Sequence, residues 1–185
     1  MKHIFKILVI VIFISLVSLM VYGTMQQMLR QGINSVSVQL ATDAVNKLES
    51  GVSAKSVSLP ANIEISKSLS PFVMIFDQNK KVLVSSATLD GVTPVIPQGT
   101  FDYVARTGQD RVTWQPRPGV REAIVVDSYS ADGTTGYVVA GTSLKESEAV
   151  TDKVGRDIFI GWIIINVFAI VSYSIICSSF FKERN

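Results

Sequence analysis

The sequence predicts an α+β protein: two transmembrane helices flanking an antiparallel sheet domain that carries a long N-terminal helix. Three observations lead there. Two apolar runs free of charge, Ile7–Gly23 and Ile158–Phe181, bracket the middle of the chain. A helical period of three to four residues continues past the first run. The middle then changes to short β-prone runs separated by turns rich in Gly, Pro and Asp. Composition agrees: 48% of the 185 residues are hydrophobic, 17% are charged and mean hydropathy is +0.36, whereas average globular chains carry about 25% charge.

The first run rises about 25 Å as a helix, at about 1.5 Å per residue. With Lys6 snorkelling, it reaches across a hydrocarbon core of about 30 Å. A cleavable signal peptide is the alternative, with Lys2, His3 and Lys6 as its basic region and Val21-Tyr22-Gly23 at its end. The run is long for such a segment and the helical pattern continues beyond it, so it reads as a retained span. The second run is bounded by Asp157 and Lys182, and its one strongly polar member, Asn166, is expected to face a partner helix. The expected layout is a tail at 1–6, a span at 7–23, a sheet domain at 24–157, a span at 158–181 and a tail at 182–185.

Charge sets the orientation. Of 17 basic and 15 acidic side chains, four (Lys2, Lys6, Lys182, Arg184) and one (Glu183) lie in the tails, leaving 13 and 14 between residues 24 and 157. The positive-inside rule then puts both tails in the cytoplasm and the domain outside, in a cell (inner) membrane with the lipid bilayer as its first partner. The domain has no basic excess, so nucleic acid is not an expected partner.

From Thr24 to Ser50 the apolar residues Met25, Leu29, Ile33, Val36, Leu40, Ala44 and Leu48 recur at helical spacing, and Gly51 is placed to end the helix. That stripe reads either as the domain's own core or as a helix-pairing seam. Residues 51–71 form a connector with one short strand near Ile63–Ile65. Phe72–Phe76, the polar Asp77–Lys81 and Val82–Val84 form a hairpin. Asp90–Gly99 leads into a helix near Thr100–Arg106 that stops at Gly108. Strands follow at Arg111–Gln115, Val120–Asp127 and Gly136–Thr142, joined by Pro116–Gly119 and by Ala131-Asp132-Gly133. From Leu144 a second connecting helix runs into the second span.

Much chemistry is excluded. The single cysteine, Cys177, forbids an intramolecular disulfide, and the single histidine is His3. Without another histidine there is no Ser-His-Asp triad to activate Ser143 and no His- or Cys-based zinc site in the folded middle. Asp77, Asp90, Asp102, Asp110, Asp127 and Asp132 lack the spacing of a calcium loop and read as turn residues. Cys177 near the inner boundary could accept an acyl chain, but reads as an apolar residue of the span. No enzyme, metal or cofactor is expected.

An apolar strand ending in Asp77, a polar turn and a strand running into Ser85-Ser86 follow the long helix. Together with Asp110–Pro116, Pro118–Arg121, Gly136–Gly141 and Ser143-Leu144, this order resembles the extracytoplasmic PAS-like, or single Cache, sensor domains of bacterial sensor histidine kinases, over roughly residues 5–181. The resemblance implies a ligand held between the concave sheet face and the connecting loops and helix, and a parallel homodimer through the long helix. Such receptors continue into a phosphoacceptor helix and an ATPase domain. Four residues follow Phe181 here, so kinase chemistry is not expected and a separate protein would carry the output.

The most site-like residues are Arg111, Trp114, Arg117 and Arg121, with Tyr103 and Tyr137 near them. Guanidinium groups grip a carboxylate or phosphate bidentately, and a ring closes the apolar side. Strand alternation puts Arg111 and Thr113 on one face and Val112 and Trp114 on the other, so these side chains share one pocket only if the turn reorients some of them. The alternative is a core Trp with solvated arginines. The expected function is a membrane-anchored sensory or regulatory module that binds a small anionic ligand. It would pass a conformational signal to a membrane partner through span contacts at Asn166, Ser174 and Ser178. The alternative is an envelope protein–protein interaction module with no small-molecule ligand.

Overall fold

The computed structural model describes residues 2–57, 62–131 and 133–182, with side chains at all of these except 2, 3, 33 and 177–182. Asp132, Glu183 and Arg184 therefore lie outside the described residues, as do the side chains of Lys2, His3, Ile33, Cys177, Ser178 and Lys182. The chain divides into two compact units, Arg30–Glu148 and Met1–Leu29 with Ala149–Asn185. In order the elements are α1 (Lys2–Glu49), α2 (Ala54–Val57), β1 (Ile63–Glu64), β2 (Phe72–Asp77), β3 (Val82–Ser85), β4 (Ala87–Thr88), α3 (Gln98–Thr107), β5 (Gln109–Arg117), β6 (Val120–Ala131), β7 (Thr134–Ser143) and α4 (Lys145–Lys182).

In the unit Arg30–Glu148, five strands form one antiparallel sheet in the order β3-β2-β7-β6-β5. The first hairpin thus joins the last strand, and β2, β7 and β6 occupy the centre. A central strand covered on both faces is apolar throughout, which is why Phe72-Val73-Met74-Ile75-Phe76 is buried without alternation. One face carries Val73, Ile75, Val125, Val138 and Ala140 and packs on Ala41, Ala44 and Leu48 of α1. Ser37, wholly buried on that helix face, donates to the Ala123 carbonyl at 3.0 Å. The other face carries Phe72, Met74, Phe76, Ile124, Val126 and Val139. It packs under Phe101 and Val104 of α3 and under connector residues such as Ile65, Ala87 and Ile96.

Two glycines of β7 admit large rings. A Cβ at Gly141 would overlap the ring of its cross-strand partner Phe72 and lie 2.9 Å from Ile124 Cγ2. A Cβ at Gly136 would lie 2.6 Å from the ring of its partner Tyr129, whose hydroxyl donates to the Phe76 carbonyl at 3.4 Å. Here an aromatic ring covers the bare backbone of the neighbouring strand. At the end of α3, Gly108 adopts φ 85°, and its N–H donates to the Val104 carbonyl at 2.7 Å. Only the left-handed region lets the chain turn so sharply from helix into β5.

Three details differ from the sequence pattern. A second, two-stranded sheet pairs β1 with β4 in parallel, Ile63 opposite Ala87. Strand β6 reaches Ala131 because its ladder with β7 runs in register through polar residues as far as Ala131 and Thr134. The buried face of α1 is Ser37, Ala41, Ala44 and Leu48, while Val36 is exposed and Leu40 half-buried.

In the helical unit, the first part of α1 and the main part of α4 pair antiparallel. Trp162 Nε1 donates to Ser15 Oγ at 2.9 Å, and Gly155 lies under the Tyr22 ring. Asn166 is buried with its Nδ2 on the Trp162 carbonyl at 2.7 Å, and its Oδ1 has no partner among the described residues. Both helices are long and apolar enough to cross a membrane, and large side chains such as Phe13, Met20 and Phe168 point outward.

Candidate functional site

Strand β6 begins Val120-Arg121-Glu122-Ala123-Ile124, so alternation puts Glu122 on the same face as Val120, Ile124 and Val126. Its cross-strand neighbours are Trp114 on β5 and Ser143 on β7. The result is a carboxyl group in the last row of an apolar face, 1% exposed, with Oε1 lacking a hydrogen-bond partner among the described residues. Taking a carboxylate out of water disfavours its charged form. Burial accordingly pushes the Glu122 carboxyl up to about 8, and it holds its proton at neutral pH.

A cavity of about 90 Å³ adjoins this group. That is room for roughly six waters at about 15 Å³ each. Its walls are the connector Ile65–Ser68, the turn Gly119-Val120, the start of β6, Ser143 at the end of β7, and Lys145 and Glu148 of α4. Arg121 pairs with Glu148 across one side of it. Lys67 and Lys145 also line it, and neither has an ion-pair partner among the described residues. The Leu144 N–H donates to the Arg121 carbonyl at 2.9 Å, which fixes the head of α4 beside β6.

The connector is shaped by a second carboxylate. Glu64 accepts from Ser66 Oγ at 2.6 Å and from the N–H groups of Asp90 and Gly91 at 3.2 and 3.4 Å. The Ser66 hydroxyl, with those backbone donors, holds its carboxyl down at about 2 against the opposing effect of desolvation.

The six residues singled out by the sequence are not brought to one place. Trp114 is buried in the core, edge-on to Phe72 with ring centroids 6.5 Å apart. Arg111 is exposed on the opposite face and donates twice to Gln109 Oε1 at 3.0 Å. Arg117 pairs with Asp90 at 2.6 Å. Tyr103 is exposed on α3, and Tyr137 is half-buried with its ring 5.2 Å from Phe101. Of the six, Arg121 alone lines the cavity. The centre of the face under α3 is occupied by rings, Phe76 lying 5.0 Å from Phe101. Among the described residues no three His, Cys, Asp or Glu side chains group as metal ligands. Sequence reasoning passed over Glu122, although a signal was there: a lone carboxylate at an inward position of an otherwise apolar strand.

Comparison with family models, with curated proteins and with solved structures returns no match.

Proposed function

We propose that this chain is a two-span inner-membrane protein that carries a PAS-like sheet domain outside and works as a ligand-responsive regulatory module. It has no catalytic output of its own. The observation that carries this reading is the cavity beside the buried Glu122 carboxyl. There a buried carboxyl, its Oε1 without a hydrogen-bond partner among the described residues, lines the same cavity as two exposed lysines, Lys67 of the connector and Lys145 at the head of α4. A buried polar group left unsatisfied costs free energy, and a small ligand with polar atoms relieves that cost. The ligand is a small anion that Lys67, Lys145 and Arg121 attract. The layout of the sheet, with a long helix on one face and a short helix and loops on the other, accords with the PAS-like resemblance.

Support for the membrane comes from the outward apolar side chains of both long helices, which would be costly in water, and from the positive tails. The antiparallel pairing at Ser15 and Trp162 suits two spans with both tails on one side. A ligand shifts an equilibrium only by its differential affinity for two states. Here Lys145 and Glu148 of α4 line the cavity, so an occupant acts on the first turns of that helix. The signal passes from there to a membrane partner or a second copy.

The test is a titration of the full chain in lipid nanodiscs, carrying Trp162→Phe so that Trp114 reports, against a panel of small acids. A ligand at 100 times its Kd adds about 2.7 kcal/mol and raises the unfolding midpoint by several degrees. The rings filling the centre of the α3 face favour a second reading, an interaction module without a small ligand. Silence across the panel selects it.

A further inference from the structure

The charges around the cavity decide what enters it. Lys67 comes from the connector, Arg121 from β6, and Lys145 and Glu148 from α4. β5 faces Glu122 with Trp114 and β7 with Ser143, and neither titrates in the neutral range. Glu148 is already engaged by Arg121. Two exposed ammonium groups without an ion-pair partner among the described residues remain, and they repel a cationic ligand while favouring an anion. The Glu122 carboxyl, which lines the same cavity, would repel that anion if ionised, but donates a hydrogen bond to it if protonated.

We propose that this cavity takes up a small oxyanion only while Glu122 carries its proton, with Glu122 as the hydrogen-bond donor inside and Lys67 and Lys145 as the counter-charge. The inference rests on the reading of the cavity as the ligand site, and it adds a regulation: occupancy is gated by pH. The proton comes from bulk water and stays on Glu122 while the anion is bound. Burial, which pushes this carboxyl up to about 8, places the gate just above neutrality.

The probes are acetate and sulfate, both fully ionised from about pH 6 to pH 9, titrated into the full chain in nanodiscs. Because binding requires the protonated carboxyl, affinity should be about tenfold weaker at about pH 9 than at about pH 7. Glu122→Gln, which keeps a neutral donor in place, should bind with an affinity that is flat across that range. Lys67→Ala with Lys145→Ala should weaken binding at every pH and leave the tenfold ratio unchanged. Equal affinity at both pH values, or a Glu122→Gln protein that retains the tenfold fall, overturns the proton gate and leaves the ligand site standing. No binding of either probe at about pH 6 removes the anion site itself.

Discussion

Replacing Glu122 by Gln isolates the cost of its burial without any ligand. The unfolded carboxyl releases its proton near 4.5, and the folded one holds it to about 8. Between those values the native state binds the extra proton, so stability falls as pH rises and levels off above about 8. At about 1.36 kcal/mol per unit, the full interval corresponds to about 5 kcal/mol, and the part reached by pH 7 to about 3 kcal/mol. Glu122 borders a cavity that water can enter, which softens the desolvation, so a loss of about 2 kcal/mol by pH 7 is the expected figure. Gln has no proton to lose, and its stability should stay flat over the same range. Glu64 does not blur this window, because its carboxyl is held down at about 2 and changes stability only in acid. The assay is urea unfolding of the full chain in non-ionic micelles, followed by the emission of Trp114 in a Trp162→Phe background. Stability curves for the parent and the Glu122→Gln variant that run parallel from about pH 5 to pH 8 would refute the argument, since they would mean that the carboxyl is solvated.

Gly141→Ala should destabilise the domain by about 1–3 kcal/mol, because its Cβ has no room under Phe72 and Ile124; thermal unfolding measures this. Glu64→Ala should speed amide exchange at Asp90 and Gly91, whose N–H groups it accepts, and leave the sheet amides protected. Ser15→Ala removes the acceptor of Trp162 Nε1. By analogy with other interhelical hydrogen bonds in bilayers it should weaken helix pairing by about 0.6 kcal/mol, read from Trp162 emission in a Trp114→Phe chain. Protease added to intact spheroplasts should cut between residues 24 and 157 and spare tags at both termini, and loss of a tag would reverse the topology.

Much of the sheet is legible in the sequence because strand alternation and turn residues are local signals. The strands at Phe72–Phe76 and Val82–Val84 and the turn at Gly119 are read directly from them, each strand running one residue further in the fold. The short strand near Ile63 is read from the sequence, but its parallel partner β4 is not, since a two-residue strand has no period and the two lie 24 residues apart, Ile63 opposite Ala87. The contact face of α1 is legible only in part, for a different reason: Ala44 and Leu48 of the apolar stripe are buried on it, but Ser37 and Ala41 lie outside that stripe. Hydropathy favours Val36 and Leu40, but a helix lying close on a sheet needs small side chains, and Ser37, Ala41 and Ala44 supply them. Charge type alone singles out the arginines. Their partners, Asp90 for Arg117 and Glu148 for Arg121, are set by loop paths that no local pattern encodes.

Every level of this domain agrees except one residue. Strand pattern, glycine placement under rings and small helix residues all serve tight packing, and each is consistent with its neighbours. Glu122 breaks the pattern at an inward position where Val, Leu or Gln would fit the row between Trp114 and Ser143. Keeping a carboxyl there lowers stability at neutral pH, and neither of the two lysines lining the adjoining cavity has closed on it. A core that only needed to be stable would have replaced the group or paired it. Local violations without a structural return concentrate at functional sites, and this one sits where β6, the connector and the head of α4 meet. The same burial that makes Glu122 costly keeps it protonated, and protonation is what lets a carboxyl share a small cavity with an anion.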